Sequence, residues 1–244
     1  DQADVTLNIG GFALAIPVLS SGMDAVTSPG SAVTLGRLGG LGVMNLEGLQ
    51  TRYDDPGEIL DRIRSAPKDQ VTELLQKLYS APIKEGLVQR RVKELKDGGV
   101  VCAVAVTPAN TKKLAPAAVE AGADILVIQS TVTTARHISK SYQGLVFSEL
   151  TKLVNVPIVV GNCATYGAAL ELMETGIDSI LVGVGPGAAC TTREVVGVGV
   201  PQVTATMDCA AARDDYMNRT GRYVSIITDG GIRTGGDLCK AMVA

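Results

Sequence analysis

The chain has 244 residues, a length that fits a single α/β domain. Hydrophobic residues make up 46% of it and aromatic residues only 3%, with no tryptophan. Because buried parallel strands consist mainly of aliphatic side chains, this composition favours an α/β fold. The formal net charge is −3 and the basic residues are scattered, so the basic stripe of a nucleic-acid-binding protein is excluded.

Apolar runs stay below the roughly 18 residues that span a bilayer, and no signal-peptide pattern precedes the first predicted strand. We therefore expect a cytoplasmic protein with no membrane partner. The five cysteines lack CxxC spacing, which predicts neither a disulfide framework nor a zinc site.

Seven segments of the sequence predict buried strands. In three of them a helix ends at a glycine that is followed by a short apolar run, as is typical of βα units: "ELKDGGVVCAVAV" (94–106), "AVEAGADILVIQ" (118–129) and "LMETGIDSILVGV" (172–184). The other four are "AIPVLSS" (15–21), "LGVMN" (41–45), "VPIVVGN" (156–162) and "YVSIITDGG" (223–231). Helices are predicted between them at 31–38, 56–64, 69–79, 85–97, 111–121, 166–175 and 203–217, and a further helix after the last strand.

This alternation predicts a parallel sheet, which fits either a doubly wound fold or a (β/α)8 TIM barrel. Polar residues decide between them, because candidate site residues follow nearly every strand and no GxGxxG follows the first. They are Ser20, Ser21, Asn45, Gln129, Ser130, Asn162, the loop around Cys190, and Asp229. We expect one (β/α)8 catalytic domain over residues 1–244, C-terminally incomplete, with the eighth strand beyond Ala244.

The segment "GVGPGAACTT" (183–192) is the most specific motif. Gly185, Pro186 and Gly187 allow a backbone that gathers carbonyls or amides on one side, and Cys190 follows. A buried thiol in a structural turn is the alternative interpretation. Two threonines and the pair Arg193 and Glu194 flank the cysteine, and these polar neighbours favour a nucleophilic thiol.

Two further motifs also follow strands. In "ITDGGIRTGGDL" (227–238), glycine amides ahead of a helix suit a phosphate and Asp229 suits a ribose diol, although a turn with a helix-capping aspartate explains it as well. In "SSGMDAVTS" (20–28), Ser21 and Met23 end the first strand. Its alternative explanation is a helix capped by Asp24.

Over essentially the whole chain the sequence resembles the IMP dehydrogenase/GMP reductase family, and "GVGPGAACTTREVVGVGVPQ" (183–202) is close to that family's signature. The resemblance implies that Cys190 attacks C2 of a purine nucleotide, with Thr192 in the proton-relay position. It implies that backbone carbonyls of the cysteine segment hold potassium: Gly185, Gly187 and Cys190. It implies that these residues bind the nucleotide: Ser21, Met23, Asn162, Asp229 and Gly231.

The sequence departs from the family pattern at three places. Ala188 stands where the family usually has a serine that touches the phosphate, and Gln129 stands where dehydrogenases place a cofactor-binding aspartate. The resemblance implies an NAD site at Gln129, Ser130 and Thr131. Between Asn45 and the helix near Pro56 there is no room for the regulatory CBS pair, so we expect a CBS-less branch of the family.

Three functions fit the resemblance. An IMP dehydrogenase converts IMP to XMP with NAD through a covalent cysteine adduct, a GMP reductase uses NADPH and releases ammonia, and a nucleotide sensor keeps only the pocket. Retention of both Cys190 and Thr192 disfavours the sensor. The cysteine segment favours the dehydrogenase, whereas the missing CBS pair favours the reductase. The flap that separates the two enzymes is expected beyond Ala244, and the assembly is expected to be a homotetramer or octamer. The single histidine, His137, excludes a metal site built from two histidine ligands.

Overall fold

The structure is a computed structural model that describes residues 3–135 and 144–244, so His137 lies outside the described residues. They form two compact units. The first contains residues 3–7 and Ala13–Leu126, and the second contains Asn8–Phe12, 127–135 and 144–244.

Strands and helices alternate along most of the chain. The strands are β1 (Leu7–Ile9), β2 (Phe12–Leu14), β3 (Val43–Asn45), β4 (Ala103–Val106), β5 (Ile125–Gln129), β6 (Ile158–Cys163), β7 (Ser179–Val182) and β8 (Ser225–Thr228). The helices are α1 (Pro29–Arg37), α2 (Pro56–Ser65), α3 (Val71–Tyr79), α4 (Glu85–Asp97), α5 (Thr111–Glu120), α6 (Phe147–Leu153), α7 (Tyr166–Met173), α8 (Thr192–Val195), α9 (Gln202–Thr220) and α10 (Gly235–Val243). A 3-10 turn covers Leu49–Thr51.

The first unit contains the strand order β3, β4 and the start of β5. β3 and β4 are parallel, with Val43 opposite Ala103 and Asn45 opposite Ala105. The predicted strand at 15–21 is reduced to one parallel bridge between Leu19 and Leu41. Pro17 lies inside that segment and has no N–H to donate, which explains why the pairing does not extend.

The second unit contains the end of β5 followed by β6, β7 and β8. β7 is parallel to both neighbours, since Ile180 is opposite Val160 of β6 and Ile226 of β8. The interior of this sheet is aliphatic, as the composition predicts; Val159, Val160 and Ile180 have no exposed surface. Helices α7 and α9 pack against each other, and α9 ends at Gly221, whose φ of +73° suits glycine.

The predicted helices and the other six predicted strands are present, with boundaries that shift by a few residues. Four short helices and strands were not predicted. Helices α6 and α8 are too short to show a clear period, and strands β1 and β2 have three residues each. These two strands pair across Gly10 and Gly11, whose φ values of +55° and +95° suit a tight hairpin turn.

Every helix within residues 3–135 and 144–244 is too short or too polar to cross a lipid bilayer. Three cysteines are buried (Cys102, Cys163 and Cys209) and two are exposed (Cys190 and Cys239).

Candidate active site

The carboxyl ends of the strands in the second unit carry a connected set of polar side chains and glycines. Gln129 ends β5, Asn162 lies near the end of β6, Gly183 follows β7 and Asp229 follows β8. Parallel neighbouring strands end at the same edge of a sheet, so residues far apart in sequence meet there.

Asp229 is held by two side-chain amides. Its Oδ2 accepts hydrogen bonds from Gln129 Nε2 at 2.9 Å and from Asn162 Nδ2 at 2.7 Å. Within residues 3–135 and 144–244, these side-chain donors reach Oδ2 and none reaches Oδ1. We call Gln129, Asn162 and Asp229 the Asp229 platform. It offers one carboxylate oxygen, already oriented, to a ligand.

Asn162 is fixed by the segment that follows β5. Its N–H donates to the Ser130 carbonyl at 3.0 Å, and its own carbonyl accepts from the Thr133 N–H at 2.8 Å. The Thr133 hydroxyl also donates to the Gly161 carbonyl at 2.5 Å. Asn162 and Thr133 are 6% and 5% exposed, and the Gly161–Asn162 peptide is cis. The amide of Asn162 therefore reaches Asp229 from a buried and fully bonded backbone.

Gln202 joins the ends of β7 and β8. Its Nε2 donates to the Val182 carbonyl at 2.6 Å and to the Asp229 carbonyl at 3.3 Å, and the Asp229 N–H also donates to Val182 at 2.8 Å. The space is filled by these groups: a Cβ added to Gly183 would lie 2.6 Å from the Asp229 carbonyl oxygen and 2.7 Å from Gln202 Nε2. Gly183 has a φ of +141°, so both space and backbone require glycine.

Cys190 lies on an exposed segment that we call the cysteine loop, residues 184–200. Its Sγ is 3.2 Å from the Thr192 hydroxyl, and its N–H donates to the Gly187 carbonyl at 3.1 Å. The Thr192 hydroxyl, then the Thr192 backbone N–H and the charge of Arg193 hold the pKa of the Cys190 thiol below its ordinary value. Cys190 is exposed, so the buried-thiol alternative does not hold. A lowered pKa and access to solvent suit a thiol to nucleophilic attack, and that role for Cys190 stays a prediction.

The cysteine loop lies against the turn that follows Asp229. A Cβ added to Gly231 would be 3.2 Å from the Pro186 carbonyl oxygen, and one added to Gly230 would be 3.3 Å from the Gly187 nitrogen. Both glycines have positive φ, +86° at Gly230 and +80° at Gly231. Side chains at these positions would separate the two segments, so the glycines place the loop of the thiol beside the carboxylate turn.

The capping alternatives for the two aspartates do not hold. Helix α10 is capped by Thr234 and Asp237 rather than by Asp229. In the first unit, α1 is capped by Ser28 rather than by Asp24. Asp24 instead accepts hydrogen bonds from the Leu49 N–H at 2.7 Å and the Tyr79 hydroxyl at 2.6 Å.

The predicted nucleotide contacts Ser21 and Met23 belong to the first unit. The Ser21 carbonyl accepts from the Thr27 hydroxyl at 2.7 Å, and Met23 is 53% exposed. Burial and the hydrogen bond to Asp24 raise the pKa of Tyr79, so that phenol stays protonated and donates to Asp24. Asp24 thus fixes the segment on which Ser21 and Met23 lie, and their part in nucleotide binding stays a prediction.

Two of the three predicted cofactor-binding residues already make side-chain hydrogen bonds to other residues of the chain. Gln129 belongs to the Asp229 platform, and the Ser130 hydroxyl is 2.8 Å from the Thr133 hydroxyl and donates to the Val132 carbonyl. Thr131 is exposed. Backbone carbonyls are suitable ligands for potassium, and those of Gly185, Gly187 and Cys190 lie in one loop, although the Gly187 carbonyl already accepts the Cys190 N–H.

From the sequence, Arg193 was only a polar neighbour of Cys190, and Gln202 and Thr133 had no predicted role. In the structure all three hold this site together. The signal for Gln202 and Arg193 was weak but present, since both lie inside the 183–202 motif. Thr133 makes its contacts through the fold, and no local pattern marks it.

The chain matches the family model "IMP dehydrogenase / GMP reductase domain" over residues 2–244. An uncharacterized oxidoreductase of Mycobacterium tuberculosis is 40% identical over 234 residues, which cover 93% of this chain and 62% of that protein. The inosine-5'-monophosphate dehydrogenase of Cryptosporidium parvum is 32% identical over 259 residues, covering 99% of this chain and 58% of that protein. The chain thus spans about three fifths of the length of these relatives.

A solved structure supports the same assignment. The crystal structure of an IMP dehydrogenase/GMP reductase-like protein from Corynebacterium glutamicum matches with a TM-score of 0.90 and 36% identity, covering 98% of this chain and 64% of that one. The match confirms the predicted α/β fold class, the (β/α)8 TIM barrel type. The chain therefore belongs to the IMP dehydrogenase/GMP reductase family.

Proposed function

We propose that this chain is the catalytic domain of an oxidoreductase that converts IMP to XMP with NAD through a covalent bond to Cys190. One observation carries the proposal: an exposed thiol lies 3.2 Å from a threonine hydroxyl, on a loop that contacts the turn after Asp229. Nucleophile, relay hydroxyl and a carboxylate for the sugar thus belong to adjoining segments of one unit.

The Asp229 platform supports binding of the nucleoside part. Asp229 keeps Oδ1 for ribose hydroxyls because both amide donors bind Oδ2. The turn at Gly230 and Gly231 leads into α10, a nine-residue helix, and N–H groups in such a turn suit a phosphate. Ala188 has no hydroxyl for the phosphate, so the backbone is left to make this contact.

The chemistry begins with the Cys190 thiolate. Sγ forms a bond to C2 of the purine, which makes that carbon tetrahedral, and C2 then loses its hydrogen as a hydride. NAD, when bound, supplies the hydride acceptor. Water adds to the resulting thioimidate, the C2–S bond breaks, and XMP leaves while the thiol is restored. Thr192, whose hydroxyl contacts Sγ, holds and passes a proton in the last step.

Potassium fits the donor chemistry of the loop, and the carbonyls of Gly185, Gly187 and Cys190 would hold it. The proposed role is to keep the loop in shape, and no chemical step passes through the ion.

The test uses the full-length protein and follows nicotinamide absorbance in the presence of potassium, first with IMP plus NAD and separately with GMP plus NADPH. Formation of NADH in the first mixture alone supports the proposal. Consumption of NADPH in the second mixture alone would replace it with GMP reduction. Tight IMP binding without turnover in either mixture would indicate a nucleotide sensor.

A further inference from the structure

The cysteine loop has little apolar anchoring. Val184 is 6% exposed, but three of the other valines in the loop are exposed to solvent: Val195 is 76% exposed, Val196 65% and Val198 48%. A segment with so few buried contacts opens easily unless polar contacts hold it. The Cys190–Thr192 geometry therefore depends on whatever fixes the loop.

Arg193 makes those contacts. Its Nε donates to the Val184 carbonyl at 3.1 Å and its Nη2 donates to the Val200 carbonyl at 2.5 Å. Val184 begins the loop and Val200 ends it, so one side chain bonds both ends. Arg193 is half-buried, whereas Cys190 and residues 194–199 are exposed.

Two glycines make room for this side chain. A Cβ added to Gly199 would lie 2.5 Å from Arg193 Nε, and one added to Gly185 would lie 2.9 Å from Arg193 Cγ. The aliphatic part of the arginine thus lies directly on the backbone of both loop ends. Glycine at 199 is explained by this packing, because its φ does not lie in the left-handed region.

We propose that Arg193 is the positioning residue of the cysteine loop: by bridging the Val184 and Val200 carbonyls it holds Thr192 against Cys190. Thr192 precedes Arg193 in the short helix α8, so fixing Arg193 fixes the hydroxyl that contacts Sγ. The inference deepens the proposed function, since it concerns the same thiol, but it makes a claim about the loop itself.

A guanidinium is suited to this role for a geometric reason. Its N–H groups point in fixed directions within one plane, so two of them reach two carbonyls at once. A lysine ammonium is a compact charge on a flexible stem and does not reproduce the bridge. The proposal therefore predicts dependence on the guanidinium group rather than on positive charge alone.

The readout is the alkylation rate of Cys190 with iodoacetamide in nucleotide-free protein, mapped by mass spectrometry and divided by the rate of Cys239. Cys239 is also exposed and serves as an internal reference. Cys190 is already exposed, so loosening the loop cannot improve its access and removes the Thr192 hydrogen bond to the thiolate. Deuterium uptake by residues 184–200 reports loop opening in the same samples.

In Arg193→Met and Arg193→Lys we expect the rate ratio to fall by about fivefold, the effect of losing roughly one hydrogen bond, and deuterium uptake to rise. Gly199→Ala should act similarly without touching the charge, because its Cβ displaces the guanidinium. Gly167→Ala is the matched control, since nothing lies within 4 Å of an added Cβ there. Added ethylguanidinium should restore the rate ratio of Arg193→Ala, because it replaces the missing part of the side chain, and it should not restore the rate ratio of Gly199→Ala.

An unchanged rate ratio and unchanged uptake in Arg193→Met, with an unchanged melting temperature, would overturn the proposal. If the arginine variants do not fold, Gly199→Ala is the test variant. A rate ratio and deuterium uptake equal to those of Gly167→Ala would then contradict the proposal. Restoration of Arg193→Ala by ethylammonium as well as by ethylguanidinium would also contradict it. None of these measurements uses IMP or NAD, so failure of the proposed reaction is recognised separately.

Discussion

The Asp229 platform and the cysteine loop are adjoining regions built in opposite ways. The platform joins side chains that lie 100 and 67 positions apart in sequence, and Asn162 is 6% exposed. The loop is one continuous exposed segment, whose side-chain contacts span two, seven and nine positions. The geometry of the platform thus rests on the sheet, whereas the geometry of the thiol is set locally, within a loop carried by a rigid scaffold.

Replacing Cys190 should give the largest difference between the effect on turnover and the effect on IMP binding. In Cys190→Ala we expect turnover to fall by at least about a thousandfold, because the nucleophile is lost. The dissociation constant of IMP should change little, since the platform is intact. Steady-state kinetics and calorimetry measure the two effects, with the exposed cysteine variant Cys239→Ala as the control. Equal loss of binding and turnover would mean that the thiol loop also forms the binding site.

Replacing Asp229 tests the platform without touching the loop. In Asp229→Asn the amides of Gln129 and Asn162 still have an acceptor, but the charge offered to the ribose is gone. IMP binding should weaken by about tenfold to a hundredfold, the cost of losing a charge-assisted hydrogen bond or two. Alkylation of Cys190 in nucleotide-free protein should stay unchanged. Asp208→Asn on the exposed side of α9 is the control, and tight IMP binding by Asp229→Asn would exclude the ribose role.

A second carboxylate sharpens the comparison by making the platform sensitive to pH. Gln129→Glu places an acid where an amide now donates at 2.9 Å. At about pH 5 the pair can share a proton and keep the hydrogen bond, whereas at about pH 8 two like charges repel, so IMP binding should weaken by about tenfold as pH rises. Calorimetry of wild type over the same range removes the titration of the phosphate. A loss of affinity that is independent of pH, as expected for Gln129→Leu, would contradict the charge argument.

The smallest effect concerns the loop alone. Because the Thr192 hydroxyl is the main cause of the lowered pKa of Cys190, Thr192→Val should raise that pKa toward its ordinary value. The thiolate then forms at higher pH, so the curve of alkylation rate against pH moves to higher pH. Thr192→Ser keeps a hydroxyl and should keep the curve. A Thr192→Val curve that coincides with wild type would assign the shift to the backbone instead.

The order of strands was predictable because a helix, a glycine and a short aliphatic run recur. "LMETGIDSILVGV" contains the end of α7, the left-handed Gly176 and all of β7. The length of the first predicted strand was overestimated. Its apolar residues predict a strand over 15–21, but Pro17 prevents the pairing from extending beyond one bridge. Helix α8 was missed because its four residues lie in a glycine-rich segment.

The positions of the candidate residues at strand ends were predictable from the sequence, but the contacts between them were not. The sequence placed Gln129 and Asp229 at strand ends, yet their strands β5 and β8 are not neighbours in the sheet order. Their hydrogen bond depends on three-dimensional geometry that no local pattern contains. Likewise, Arg193 looked like one half of a surface charge pair, and only coordinates place its guanidinium on Val184 and Val200.

Gly183 and Gly187 belong to the same glycine-rich run but impose different limits on engineering. A methyl group at Gly183 meets the Asp229 carbonyl and Gln202 within 2.8 Å, whereas one at Gly187 meets only Cys190 Cβ at 3.6 Å, an ordinary contact. In a saturation library, every side chain placed at position 183 therefore clashes with its neighbours. At position 187 the same library adds side chains directly beside Cys190, without a steric clash at Cβ.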